Sequence, residues 1–203
     1  MYEMKVIKRL IAPRGRGKKL VVRAVNLLQH SHNIRITNYL SCMVADWRTI
    51  KLLRFADYVI FQSRYQKDFF RRHGYKSEKN IIIHNGADEI FNYSVKRKLQ
   101  PEDKLRLVSV TMSPRKTKRH DLIAQFSELK NVEVVHFGNW PDSTDRKKVI
   151  LKGLLPREAI LREFINSHFL LHPAIKDPCP NVIFEAIYAG VPIIYNPDIG
   201  SSR

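Results

Sequence analysis

The stretch from His168 to Tyr195 constrains the fold more than any other part of the chain. His168 to His172 is a short apolar run of strand character, and Pro173-Ala-Ile-Lys-Asp177-Pro-Cys-Pro180 punctuates a loop after it. Asn181 to Ala189 then has the make-up of a short helix, with Pro180 before its first position and Gly190 and Pro192 to stop it. The apolar run Val191 to Tyr195 follows. A strand, loop, helix and strand so closely spaced predict a βαβ crossover. Between Pro178 and Pro197 the only charged side chain is Glu185. A helix starting near Pro180 points its free N–H groups and the positive end of its dipole at the loop, an arrangement that suits a phosphate. Glu185 lies roughly 7 Å along the axis and leans back toward the helix start, so its carboxylate can reach a hydroxyl-bearing group on that phosphate, for which a ribose is the natural candidate. A helical Glu capped by a neighbouring Arg or a backbone amide fits the same residues, and the pattern alone does not choose between the two.

The alternation extends upstream. Leu105 to Val110 reads as a strand, Asp121 to Leu129 as a helix and Val132 to Phe137 as a strand ending at Gly138. Val149 to Lys152 reads as a short strand and Pro156 to Ile165 as a helix. This order predicts an α/β, doubly wound parallel-sheet (Rossmann-like) domain with ligands at the carboxyl ends of its strands. Ser94 to Lys104, rich in Lys and Gln, reads as a linker. Before it, Asp46 to Phe55 reads as a helix, Asp57 to Ser63 as a buried strand, Arg64 to His73 as a helix capped by Ser63 and ended by Gly74, and Ile81 to Gly86 as a strand with a turn. Leu20 to Gln29 is expected to form an amphipathic helix, and Pro13 to Lys19 a basic, Gly-punctuated loop that lacks the ending of a Walker motif. The expected organisation is a partial Rossmann-like region over 1–93, a linker over 94–104, and a second domain over 105–203.

The wording HPAIKDPCPNVIFEAIYAGVPII resembles the signature of retaining, nucleotide-sugar-dependent glycosyltransferases of the GT-B fold, family four: two acids separated by seven residues, then Ala and a Gly-Val-Pro turn. Asp177 stands where the family usually has Glu. The block ADYVIFQSRYQKDFFRRHGYKSEKNIIIHNGADEIF resembles the end of that family's first domain, with Asn85-Gly-Ala-Asp88 in place of its Asn-Gly-Val-Asp turn. The resemblance implies transfer of a sugar from a nucleotide-sugar donor to a glycan or lipid-linked acceptor with retention at the anomeric carbon, and no metal or other cofactor. It implies Glu185 on the ribose, the amides of Asn181 and Val182 after Pro180 on the diphosphate, and Gly200 and Ser201 as a second polar turn at the same crevice. It also implies Asp177 near the transferred sugar; an Asx turn or helix cap before Pro178 is the structural alternative. The loop Thr111 to Asp121 holds Arg115, Lys116, Lys118 and Arg119 after a strand. The family's phosphate-holding Lys maps onto Lys118, or onto Lys116 with a two-residue insertion. The family's Arg falls near Thr111 or Ser113, so Arg115 is its substitute here. His84, His136, His168 and His172 lie in or beside strands and read as packed residues rather than bases. The chain is about half the family's usual length, so slow transfer, or none without a partner chain, is expected.

The net charge of +17 and pI near 10.1 point to a polyanionic partner. The excess is uneven: residues 1–100 hold 21 Lys and Arg against 7 Asp and Glu, a net of +14, and the remainder 15 against 12, a net of +3. A non-enzymatic basic protein binding nucleic acid or a membrane is therefore the rival reading. Against nucleic acid stand the lack of any recognition motif, the scatter of the cations, and the near neutrality of the half that carries the signature. Peripheral contact with an anionic membrane fits the same charge. The two cysteines, Cys42 and Cys179, have neither disulfide nor metal spacing. With no leader and no run of the ~20 apolar residues that span a bilayer, a cytosolic location is expected.

Overall fold

The computed structural model describes residues 19–25, 27, 36–92, 104–197 and 199. Most of the basic loop at Pro13 to Lys19, the linker expected at 94–104 apart from Lys104, and Gly200 and Ser201 lie outside the described residues. The chain forms two compact units that divide between His84 and Asn85.

The first unit is a three-stranded parallel sheet in the order β1 (Val21–Arg23), β2 (Tyr58–Phe61), β3 (Asn80–Ile82), with helices α1 (Ile36–Leu53) and α2 (Arg64–Arg72). The expected helix over Leu20 to Gln29 is corrected, because Val21 to Arg23 pair with Tyr58 to Ile60 instead. Two successive β-branched valines resist helix and suit a pleated surface. The pairing is closed by Ala24 N–H donating to the Ile60 carbonyl at 2.9 Å and by Leu20 N–H donating to Asp57 Oδ2 at 2.7 Å. Helix α1 begins at Ile36, ahead of the expected Asp46, since no Gly or Pro interrupts the intervening residues. The Ser63 hydroxyl caps α2 by accepting from Gln66 N–H at 3.1 Å, as the sequence predicts. Val59 and Phe61 bury one face of the sheet with Ile50 and Leu53 of α1 and Phe70 of α2. The alternate residues Val21, Tyr58 and Ile81 are about half exposed. Strands added in one direction by right-handed crossovers place their helices on one side only.

The second unit carries five parallel strands in the order β6 (Ile150–Leu151), β5 (Val132–Gly138), β4 (Leu105–Thr111), β7 (Phe169–His172), β8 (Ile193–Tyr195). From β4 the chain winds outward through β5 and β6, then crosses back to β7 and β8. The result is the expected doubly wound, Rossmann-like sheet, and its switch point lies between β4 and β7. Both faces are covered. Val108, Val135 and Leu170 pack with α4 (Arg157–Ile165) and α5 (Asn181–Tyr188), while Leu107, Val134 and Leu171 pack with α3 (His120–Phe126). Asn85 to Asn92 packs with this unit, Phe91 being fully buried with its ring 6.0 Å from that of Phe164. Thr111 pairs with Gly138 at the carboxyl ends of β4 and β5, and the Thr111 carbonyl accepts from Asn139 N–H at 3.0 Å. Gly138 has φ 103°, and a Cβ there would stand 1.9 Å from that carbonyl oxygen. Only glycine lets the two strand ends meet this closely.

Candidate functional site

Two loops leave the sheet at the switch point, one after β4 and one after β7. In the first, Thr111 Oγ1 both accepts from Ser113 N–H (3.3 Å) and donates to the Ser113 carbonyl (3.2 Å), and the side-chain amide of Asn139 holds Met112 from below (2.8 Å). The loop tightens into a 3-10 turn over Lys116–Lys118 and enters α3 through Arg119, which has the left-handed φ of 55°. The guanidinium of Arg119 is spent on Asp121 at 3.1 Å. Arg115 and Lys116 are exposed and form no ion pair with the described residues.

The second loop meets the first directly. Ile175 N–H donates to the Thr117 carbonyl at 2.8 Å, and Lys118 Nζ donates to Asp177 Oδ2 at 2.5 Å. The Lys118 and Asp177 side chains are only 23% and 13% exposed. His172, buried at the end of β7, places Nε2 3.7 Å from the same carboxylate oxygen, too far for a hydrogen bond. Burial pushes the Asp177 carboxyl up, but His172 and the Lys118 ammonium outweigh it and hold the group well below its ordinary 3.8. Asp177 therefore sits at the switch point as a fixed anion. It caps no helix: Pro180 occupies the N-cap of α5 and makes no side-chain capping bond. Lys176, next to Asp177, has a left-handed φ of 57°. Non-glycine residues in this region cost of order 1 kcal/mol or more, and two of them flank the Lys118–Asp177 pair.

Helix α5 runs from the second loop. Val182, Ile183 and Ala186 are buried against the sheet, and Asn181 is exposed at its start. The side-chain amide of Asn85 donates to Asn181 Oδ1 at 2.6 Å and to the Cys179 carbonyl at 3.1 Å, which ties the turn at Asn85 to the helix entry. Glu185 is half-buried one turn further on. Its carboxylate has no hydrogen bond or ion pair with the described residues, so none of them caps it. Burial raises its pKa; Arg157 opposes the rise and Asp88 adds to it. Those two residues pair with each other through Arg157 Nη1 and Asp88 Oδ2.

The structure thus brings Arg115, Lys116, Lys118, Asp177, Pro180, Asn181, Val182 and Glu185 to the carboxyl ends of β4 and β7. Sequence reasoning missed three contributors. His172 was expected only to pack, and it packs while facing Asp177. Asn85 stood out only as the start of the Asn85-Gly-Ala-Asp88 turn, without a role at the site, and Arg157 carried no signal beyond its type; their partners lie 96 and 69 residues away. Of the other histidines expected to pack, His136 is fully buried and His168 accepts from Arg106 N–H at 2.7 Å, whereas His84 is exposed. Among the described residues no cluster of His, Cys, Asp and Glu can hold a metal ion, and no helix is long and apolar enough to cross a membrane.

No protein-family model matches the sequence, and no curated protein does. Solved structures do. Anabaena Alr3699/HepE, in complex with UDP and glucose, superposes with a TM-score of 0.68 at 18% identity over 97% of this chain and 58% of that one. Sucrose-phosphate synthase from Thermosynechococcus elongatus follows at 0.66 and 15%, over 86% and 49%. The trehalose-6-phosphate synthase OtsA follows at 0.64 and 12%, over 97% and 57%. At these identities the likeness is one of fold, and that fold is the parallel α/β, Rossmann-like one expected from the sequence. The chain spans about 58% of the length of the HepE structure.

Proposed function

We propose that the protein binds a nucleotide-sugar donor at the switch point of its second unit and serves glycosyl transfer with retention of the anomeric configuration. The observation that carries the reading is Glu185. A half-buried carboxylate with no hydrogen-bond donor among the described residues is costly unless a ligand supplies hydroxyl groups, and a ribose does so with two. The diphosphate then lies at the start of α5, on the amides of Asn181 and Val182, with Arg115, Lys116 and Lys118 across the crevice. These cations act where charge develops as the nucleoside diphosphate leaves, the place where preorganised charge contributes most. Asp177 lies at the sugar end, its charge held by Lys118 and His172. The complexes of HepE with UDP and with UDP-glucose support a donor of this class. A glycan or lipid-linked acceptor belongs to the same reading.

Calorimetry with UDP and GDP tests it. At least one nucleotide is expected to bind, and Glu185→Ala to weaken that binding about tenfold, as loss of a charged hydrogen bond does. Asp177→Asn is expected to keep nucleotide binding while lowering sugar transfer. Failure of both nucleotides to bind, or equal affinity in Glu185→Ala, overturns the assignment.

A further inference from the structure

The turn from Asn85 to Asp88 touches the first residue of two helices. The side-chain amide of Asn85 donates to Asn181 Oδ1 at 2.6 Å, at the start of α5, and Asp88 Oδ2 takes Nη1 of Arg157, at the start of α4. Behind the turn, Ala87, Ile90 and Phe91 pack into the core that α4 and α5 share, with Phe164, Ile183 and Ala186. Close packing on that side holds the turn in place against both helices.

Glu185 belongs to the same surface. It follows Asn181 by four residues, so the two side chains lie on one face of α5, and that face meets the turn through Asn181. Asp88 and Arg157 are accordingly the charges that act on Glu185. Two carboxylates thus face one guanidinium, and the guanidinium is on Asp88. Solvation alone would not put it there. The Arg157 and Asp88 side chains are 64% and 46% exposed, and an ion pair between exposed groups contributes little. The half-buried Glu185 has more to gain from a cation. What favours Asp88 is a carboxylate already held still. Its Oδ1 accepts from Ile90 N–H at 3.3 Å and its carbonyl accepts from Phe91 N–H at 2.9 Å, which caps the 3-10 turn over Glu89–Phe91 and leaves Oδ2 for Arg157. A fixed carboxylate loses less side-chain freedom on pairing.

We propose that Asp88 is a positioning residue: by holding the Arg157 guanidinium it keeps that cation off Glu185, and so keeps the Glu185 carboxylate open to the hydroxyls of a ribose. Without the Asp88 charge, Arg157 turns onto Glu185, and a donor has to break an ion pair to bind. The role at the donor rests on the reading of Glu185 as the ribose contact, whereas the exchange of Arg157 between two carboxylates stands without it.

The exchange is tested on nucleotide-free protein by NMR titration of the Glu185 carboxyl carbon. Asp88→Asn keeps the capping oxygen and removes the charge. It is expected to lower the Glu185 pKa more when Arg157 is present than in an Arg157→Gln background, because only in the first can a guanidinium move to Glu185. Equal falls in the two backgrounds would reflect the loss of a like charge alone and overturn the proposal. The consequence for the donor is read by calorimetry with UDP and GDP. Asp88→Asn is expected to weaken nucleotide binding about tenfold, and Asp88→Asn combined with Arg157→Gln to recover most of that loss. A merely structural Asp88 gives no recovery, so a double variant as weak as Asp88→Asn also overturns the proposal. Failure of both nucleotides to bind the wild type overturns the donor reading, while the titration still decides the exchange.

Discussion

Asp177 and His136 show how one unit gives two titratable side chains opposite relations to charge. Asp177 has its cation in place, and its carboxyl is held below the ordinary 3.8 despite burial. Its contribution to stability is complete above 3.8 and is lost only as the pH falls further, through the folded value. Asp177→Asn is expected to cost about 2 kcal/mol at neutral pH, the scale of a lost charged hydrogen bond. That deficit relative to wild type should shrink in acid below 3.8, as denaturant titrations at the two conditions would reveal. His136 has no such partner. Its ring is fully buried, edge-on to His120 at 5.4 Å and to Trp140 at 5.0 Å, and among the described residues no hydrogen-bond partner meets the imidazole nitrogens of His120 and His136. Burial, with His120 nearby, lowers its pKa from 6.5 to about 4. The unfolded chain therefore binds a proton that the folded one refuses, and stability falls as the pH drops from 6.5 toward 4. The gap corresponds to about 3 kcal/mol. His136→Phe keeps the ring and removes the proton site, so its melting temperature is expected to change less with pH across that window than that of the wild type. An equal slope for both proteins would mean that His136 does not titrate there.

At the scale of elements, the loop that leaves β4 at the switch point depends on the closeness of β4 and β5. Gly138→Ala would drive a methyl group against the Thr111 carbonyl, and it is expected to cost more than about 3 kcal/mol because backbone, not a flexible side chain, is in the way. Gly153 also has a positive φ, 66°, but faces open space, so Gly153→Ala should cost only about 1–2 kcal/mol of left-handed strain. Equal melting temperatures for the two variants would remove the steric argument. The elements of the second unit were largely legible, because each has a local signal: β-branched runs for β4 and β5, and the Pro180 and Gly190 punctuation for α5. The strand β1 was not, since three residues that form a strand only against β2 look helical when read with the residues after them. The site divides in the same way. Asp177, Glu185 and the basic loop stand out by sequence, whereas the pairing of Lys118 with Asp177 closes across 59 residues and depends on the order in which the strands assemble. His172 was legible as buried. Its orientation toward Asp177 was not.

For the whole molecule, the division at His84 and Asn85 separates the hydrophobic cores as well as the chain. Val59, Phe61, Phe70 and Tyr75 form a core of the first unit, and the clusters around Val108 and Leu107 belong wholly to the second. The charge divides along similar lines, with the +14 of residues 1–100 set against the +3 of the rest. A ligand that binds only the folded second unit stabilises that unit by RT ln(1 + [L]/Kd), about 2.7 kcal/mol at one hundred times Kd. Every described residue proposed to hold the donor lies after Asn85, so the first unit gains nothing directly. Differential scanning calorimetry is therefore expected to show two transitions, of which saturating UDP or GDP raises one by several degrees and leaves the other in place. Glu185→Ala should abolish that shift. If nucleotide raised both transitions together, the two units would unfold as one, and the assignment of donor binding to the second unit alone would have to be given up.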